Sequence, residues 1–157
     1  MGLDDTDRHI LEELQKHGRL KNKALAERVG LSPSACFERV RRLEANGAVV
    51  AYTAVVDPRF LGAHFEGWAE ISLSDLSGDV SKDFRAFLNA TPSVVAAYHV
   101  VGPYDFLLHF IAPSIDAWRE FRAQMELEGF SLASARLSVV VDRPKSGAPI
   151  ATAERRK

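Results

Sequence analysis

Seven polar side chains between positions 23 and 42 could bind an anion or the edge of a nucleotide base. They are one lysine, two serines, one glutamate and three arginines: Lys23, Ser32, Ser34, Glu38, Arg39, Arg41 and Arg42. Guanidinium and ammonium groups bind phosphate oxygens, and arginine also matches the acceptor edge of guanine. From Lys16 to Arg42 there are eight Lys or Arg and two acidic residues, although the whole chain has a formal net charge of −1. This local positive charge favours a polyanionic partner.

Two short amphipathic helices joined by a tight turn would position these side chains. Apolar residues recur at helical spacing in both segments: Leu25, Ala26 and Val29, then Cys36, Val40 and Leu43. Gly30 supplies the backbone freedom for the turn, and Ser32 followed by Pro33 is a typical helix start. The spacing therefore predicts a helix-turn-helix.

The outer face of the second helix follows from the 100° step per residue. With the apolar stripe inward, that face carries Ser34, Glu38, Arg41 and Arg42, and Arg39 lies at its margin. In a helix-turn-helix this face enters the major groove of double-stranded DNA. We expect three side chains nearest the base edges: Ser34, Glu38 and Arg39. We expect three nearer the phosphates: Arg41, Arg42 and Lys23.

The first domain is predicted to span residues 1–47. A preceding helix from Asp5 to His17, capped by Thr6 or Asp5, completes a three-helix unit, and Gly47 ends it. The β-branched run from Ala48 to Val56 predicts a strand, and residues 48–62 form the connection to the next domain.

Residues 63–142 alternate between strand and helix patterns. The predicted strands are 64–73, 93–101, 104–112 and 133–141, and the predicted helices are 80–90 and 114–127. The order β-α-β-β-α-β is that of a ferredoxin-like α+β unit, with both helices on one face of a four-stranded antiparallel sheet. Apolar residues on both faces of the middle strands predict that a partner subunit covers the other face, giving a homodimer or larger assembly. Residues 143–157 show no periodicity and are predicted to form a flexible tail.

Composition and motifs exclude several classes of protein. No apolar run is long enough to span a bilayer, and the acidic N-terminus lacks an export signal, so we expect no membrane partner and a cytoplasmic location. The lone Cys36 lies on the apolar stripe. We find no phosphate loop, no nucleophile motif such as GxSxG and no metal-ligand spacing among the five histidines. The chain is therefore expected not to be an enzyme and to need no metal or cofactor.

Several motifs resemble those of the Lrp/AsnC (feast/famine) family of transcriptional regulators. In the first domain they are Leu3-Asp4, Asp7-Arg8-His9-Ile10-Leu11, Leu25 to Pro33, Arg39-Val40 and Arg42-Leu43-Glu44. Further along they are Gly47, Tyr52-Thr53-Ala54-Val55, Leu61-Gly62, Pro92-x-Val94 and Val100-x-Gly102-x-Tyr104-Asp105-Phe106-Leu107-Leu108. The resemblance implies an N-terminal winged-type DNA-binding domain, a C-terminal domain that senses an amino acid or related metabolite, and dimers that assemble into octamers.

The resemblance also implies an effector site around the turn of the β-hairpin. Its candidates are Gly102, Pro103, Tyr104 and Asp105, together with Leu137 on the last strand. Gly102 would let a ligand approach the backbone and Tyr104 would form a wall. Asp105 would hold an ammonium group or, alternatively, would only cap the turn or pair with an arginine across the subunit interface. Pro103 stands where the family has an acidic residue, and Leu137 where it has a threonine. These departures favour a ligand other than leucine, or none.

The alternative to a DNA-binding regulator is a ligand-binding or oligomeric adaptor without specific DNA binding. The same unit order is compatible with such a module, since fold alone does not determine function. Salt-dependent DNA binding would separate the two, because contacts to phosphates weaken steeply as salt rises.

Overall fold

The computed structural model describes residues 2–151 of the 157-residue chain, and they divide into two compact units. One unit runs up to Val55 and includes the segment that begins at Pro144, and the other is Val56–Arg143. The predicted flexible tail lies partly outside the described residues. Within them, the Ile150 N–H donates to Gln15 Oε1 at 2.7 Å.

The first unit contains three helices and no strand among its described residues. The helices are α1 (Asp5–Lys16), α2 (Asn22–Val29) and α3 (Pro33–Ala45). Asp4, rather than the predicted Thr6 or Asp5, is the N-cap of α1, because its carboxylate accepts from the Asp7 N–H at 2.7 Å. Five buried residues hold the helices together: Ile10, Leu25, Ala26, Cys36 and Leu43. The predicted apolar stripes of α2 and α3 are thus confirmed as the core.

The second unit has the predicted order of strands and helices. After a 3-10 helix at Pro58–Leu61 come β1 (Phe65–Leu73), α4 (Gly78–Ala90), β2 (Val94–His99), β3 (Phe106–Ala112), α5 (Asp116–Leu127) and β4 (Leu132–Val139). The four strands form one antiparallel sheet in the order β2-β3-β1-β4. The α+β fold expected from the sequence is confirmed.

One face of this sheet packs on the helices and forms the core. Buried and half-buried residues alternate along β3, from Phe106 to Ala112. Phe84 on α4 is fully buried and meets Phe106 and Phe130 edge-on at ring distances of 4.9 and 5.0 Å. Such edge-to-face contacts add to the free energy gained by burying the rings. Because α4 and α5 both contribute to this core, the alternate side chains of β1 and β3 lie on the opposite face of the sheet, which neither helix covers.

The strand predicted over Ala48–Val56 is not formed. All of these residues are described, and none belongs to a helix or a strand. Val50 and Val55 are 93% and 87% exposed. A strand needs a neighbour for its backbone hydrogen bonds, and this segment pairs with no strand of the four-stranded sheet. β-Branched composition alone therefore gave a wrong assignment for the isolated chain.

Within residues 2–151, we find no helix with the length and apolar character required to cross a bilayer.

Candidate nucleic-acid interface and ligand hairpin

The turn between α2 and α3 is fixed by contacts that the sequence pattern anticipated. Gly30 ends α2 with φ of 69°, a conformation that glycine adopts without strain. The Ser32 hydroxyl caps α3 by accepting from the Ala35 N–H at 3.2 Å, and Pro33 occupies the first turn. Asn22 Nδ2 then donates to the Pro33 carbonyl at 2.7 Å. These bonds set the position of α3 relative to α2.

Two of the three arginines on α3 are paired with carboxylates at the start of α1. Arg39 Nη1 donates to Asp4 Oδ2 at 2.6 Å and to Asp7 Oδ1 at 2.8 Å. Arg42 Nη2 lies 2.8 Å from both oxygens of Asp7, which is only 3% exposed. We call these four side chains the carboxylate–arginine cluster. It holds Arg39 and Arg42 against α1, which does not fit the expectation that Arg39 lies nearest the base edges.

Within this cluster, the electrostatics favour the charged forms of Asp4 and Arg39. Hydrogen bonds from Arg39 lower the pKa of Asp4, and hydrogen bonds to Asp4 and Asp7 raise the pKa of Arg39. Charge-assisted hydrogen bonds are also stronger than neutral ones. The cluster therefore fixes the orientation of α3 on α1.

The outer face of α3 carries a stripe at i, i+3, i+4 and i+7, a spacing that places side chains on one face. Its members are Ser34, Phe37, Glu38 and Arg41, and all four are exposed. We call this set the outer stripe. Three of its members were predicted, whereas Phe37 was assigned to neither face. The stripe combines a hydroxyl, an aromatic ring, a carboxylate and a guanidinium.

A groove of about 440 Å³ lies beside the outer stripe, between α3 and the start of α2. Phe37, Leu20 and Tyr52 line it, together with the basic residues Arg19 and Lys21. Partial burial, together with the hydrogen bond to Glu44, raises the pKa of Tyr52 to about 12. Tyr52 therefore remains a neutral donor at physiological pH.

The start of α2 is also positively charged. Lys23 is exposed in its first turn, and the N-cap residue Lys21 makes no side-chain capping bond. Free N–H groups at a helix start attract anions. This end of α2 is therefore suited to a phosphate.

The hairpin turn between β2 and β3 is attached to the end of β1 through Asp105. The Asp105 N–H donates to the Ile71 carbonyl at 3.0 Å, and its carbonyl accepts from Val100 at 2.9 Å. One carboxylate oxygen, Oδ2, accepts from the Leu73 N–H at 2.9 Å. The Asp105 carboxylate thus holds the turn to β1, a structural role of the kind expected if Asp105 does not bind an ammonium group.

The remaining effector candidates do not form one cluster. Gly102 and Pro103 are exposed at the tip of the hairpin, and Tyr104 is half-buried. Leu137 lies on β4, opposite Ala69 of β1. Strand β1 therefore separates Leu137 from the hairpin formed by β2 and β3. It packs against the helix-covered core, and its Cδ1 lies 2.9 Å from the Cβ that an alanine at Gly67 would have. The structure therefore groups Leu137 with the core rather than with the turn.

The sheet face without helices has a polar cluster beside an aromatic pair. Trp68 and His109 stack with ring centres 4.5 Å apart and an angle of 9°. Glu66 Oε1 lies 2.7 Å from His109 Nε2 and also accepts from Arg143. Partial burial opposes ionisation of Glu66, but the hydrogen bonds from Arg143 and His109 outweigh it and lower its pKa.

Comparison with known proteins adds independent information on both units. Residues 3–50 match the family model described as winged helix-turn-helix DNA-binding. Residues 68–150 match the model described as the Lrp/AsnC ligand binding domain, which covers more than half of the chain. The chain belongs to the Lrp/AsnC family.

Individual relatives of this Lrp/AsnC protein agree along nearly its whole length. The leucine-responsive regulatory protein of Escherichia coli is 38% identical over 143 residues, which are 91% of this chain and 87% of the relative. A transcriptional regulator from Neisseria meningitidis, solved in complex with L-methionine, superposes with a TM-score of 0.85 at 32% identity, covering 94% of this chain and 97% of that one. An AsnC family regulator from Agrobacterium tumefaciens gives a TM-score of 0.86 at 26% identity, covering 95% and 97%.

Membership of the Lrp/AsnC family makes the chain a DNA-binding transcriptional regulator rather than an enzyme. The adaptor alternative loses its support, because the helical unit itself matches a DNA-binding model.

Sequence reasoning missed two features of the helical unit. Phe37 was overlooked because only polar residues were assigned to the outer face. Asp4 and Asp7 were quoted as family motifs, but no pattern indicated which arginines they would bind.

Proposed function

We propose that this regulator reads DNA sequence through the outer stripe of α3. The observation that carries the proposal is the division of the arginines: Arg39 and Arg42 are paired with α1, whereas Arg41 is exposed among Ser34, Phe37 and Glu38. Arg41 thereby takes the place that the sequence assigned to Arg39. Lys23, at the start of α2, would contact a phosphate, and Ser32 would remain a helix cap near the backbone.

The two kinds of contact predict different losses. A base-edge contact distinguishes sequences, so its removal lowers the preference for the specific site by about 5- to 150-fold, from roughly 1–3 kcal/mol per contact. A phosphate contact is independent of sequence. Its removal weakens all duplexes alike and reduces the slope of log affinity against log salt by about 0.9.

The experiment starts from a randomised duplex pool, from which the full-length protein selects its site. Affinities for the selected duplex and for a scrambled one are then measured by fluorescence anisotropy at several salt concentrations. Arg41→Ala should lower affinity mainly for the selected duplex, and Lys23→Ala should lower both. Arg119→Ala, an exposed arginine on α5, is the matched control and should change neither. Equal weakening of both duplexes by Arg41→Ala would make Arg41 a phosphate contact and refute this docking.

We further propose that the regulator acts as a homodimer or octamer, with the uncovered sheet face as the subunit interface. Trp68, Leu107 and Ile111 are half-buried on this face, which gives it apolar area that a second copy would cover. A dimer also supplies two α3 helices for two half-sites. Trp68→Glu should give a monomer in sedimentation at micromolar concentration, whereas Leu127→Glu, at an exposed position on α5, should not. A parent protein that sediments as a monomer contradicts the proposal.

The effector is proposed to be an amino acid or a related metabolite bound at the hairpin turn. The support is the ligand-binding family model and the relative solved with L-methionine. Gly102 and Pro103 are exposed at the turn, and Asp105 keeps one oxygen, Oδ1, beyond the one bonded to Leu73. Because Leu137 is packed on the core, it would affect the site only indirectly.

A thermal-shift screen of the amino acids and their breakdown products tests this site. Asp105→Asn is preferable to Asp105→Ala, because the asparagine carbonyl can still accept from the Leu73 N–H while the charge is lost. A ligand that stabilises the parent should stabilise Asp105→Asn much less. Asp116→Asn, at an exposed position on α5, is the control. Equal stabilisation of the parent and Asp105→Asn would remove Asp105 from the site.

A further inference from the structure

Phe37 is an exposed aromatic ring in the middle of a polar stripe. It is 54% exposed, whereas the core residues of α3, Cys36 and Leu43, are at most 1% exposed. Single exposed apolar residues are common and need no explanation by themselves. The position of Phe37 is what distinguishes it, since it lies one turn from both Ser34 and Arg41 on the helix face that would enter the major groove of DNA.

Part of Phe37 remains accessible beside a groove. It lines the groove that Leu20, Val40 and Tyr52 also line. With 54% of its surface exposed, Phe37 keeps apolar area available to a partner. The helical unit is already held together by its own buried core, so packing does not require an aromatic ring at this position.

The major groove contains one apolar group that such a ring can bind, the 5-methyl group of thymine. The N7, O6, O4, N4 and N6 groups of the bases there accept or donate hydrogen bonds, so polar side chains read them. We propose that Phe37 is a specificity-determining residue that contacts a thymine methyl in each half-site. The proposal rests on the proposed docking of α3 and adds one base preference that its polar members cannot supply.

The test replaces each thymine of the selected site in turn by deoxyuridine, which lacks only the methyl group. Loss of one buried methyl group should weaken binding of the parent protein about fourfold relative to the unmodified duplex. We expect this effect at one thymine, or at two thymines related by the symmetry of the site. Phe37→Ala should bind the thymine and deoxyuridine duplexes equally at that position. Lys23→Ala, which alters a phosphate contact, should keep the parent's fourfold difference.

The outcomes separate this proposal from the docking on which it rests. If no deoxyuridine substitution weakens the parent, or if Phe37→Ala remains as sensitive as the parent, Phe37 does not read a methyl group. If Phe37→Ala binds no duplex, site selection is repeated with Phe37→Gln. An unchanged consensus at the methyl-sensitive position would then refute the proposal, while a change from thymine would support it. A failure of the proposed docking would be detected separately, because Arg41→Ala would then keep the sequence preference of the parent protein.

Discussion

The carboxylate–arginine cluster should control the stability of the helical unit through Asp7. Asp7→Asn keeps the size of the side chain but removes its charge and turns one acceptor into a donor that faces Arg42. In the parent, the Asp7 side chain is 4% exposed and accepts three bonds at 2.8 Å from Arg39 and Arg42. The change therefore leaves a guanidinium facing a group that it cannot bind.

The size of the effect follows from how much water can reach the cluster. Removing one partner of a fully buried ion pair costs about 3–5 kcal/mol. Here the arginine side chains are 29% and 41% exposed, and Arg39 keeps its bond to Asp4. Water and Asp4 recover part of the loss, so we expect about 2 kcal/mol. A change of that size makes amide exchange through unfolding of the unit about 30-fold faster.

Hydrogen exchange followed by mass spectrometry measures this unit separately from the rest of the protein. Peptides from α1 and α3 should exchange about 30-fold faster in Asp7→Asn, and peptides from α4 and α5 should not change. Asp5→Asn is the control, because the Asp5 side chain is 93% exposed and its pair with Arg8 contributes at most about 1 kcal/mol. If Asp7→Asn and Asp5→Asn exchange alike, the cluster does not hold α3 to α1.

Two further predictions concern the second unit. Gly67→Ala places a Cβ 2.9 Å from Leu137 Cδ1, so chemical denaturation should show that the free energy of unfolding falls by roughly 1–3 kcal/mol. Gly78→Ala is the control and should change the stability little, because nothing lies within 4 Å of its added Cβ. Equal stabilities of the two variants would contradict the packing at Gly67. Hydrogen bonds from Arg59 lower the pKa of Asp57 from 3.8 to about 2, so this pair stabilises the fold above pH 4 and the contribution disappears between pH 4 and 2. NMR titration should show the Asp57 pKa rising from about 2 toward 3.8 in Arg59→Gln, in which the backbone N–H of residue 59 still donates to Asp57, and a value that stays near 2 would contradict the assignment.

Most of the fold could be predicted because burial on one face imposes a period on the sequence. The strand predicted at 64–73 is Phe65–Leu73, and the helix predicted at 80–90 is Gly78–Ala90. In each case the apolar residues repeat at the period of the element that buries them. Local chemistry also determined the helix ends, as Ser32 and Gly30 show.

The role of each arginine could not be predicted from the same pattern. Arg39 lies at the margin of the outer face, so a small rotation decides whether it faces solvent or a neighbouring helix. That choice depends on where α1 places Asp4 and Asp7, which are more than 30 positions away in sequence. The pattern gives the angle of a side chain on its own helix, and only the packing of a second helix identifies its partner.

The segment Ala48–Val56 shows how a wrong prediction can still carry information. Its β-branched residues favour extended backbone, yet the chain offers it no neighbouring strand and leaves Val50 and Val55 almost fully exposed. Such a segment can satisfy its backbone groups by pairing with another chain.

In the proposed dimer, two copies of Ala48–Val56 would pair with each other and fix the spacing of the two α3 helices. Proline at Ala51 or Thr53 removes a backbone donor from this pairing, so it should weaken binding to the two-half-site duplex more than binding to a single half-site. Equal weakening on both duplexes would show that the segment does not set the spacing.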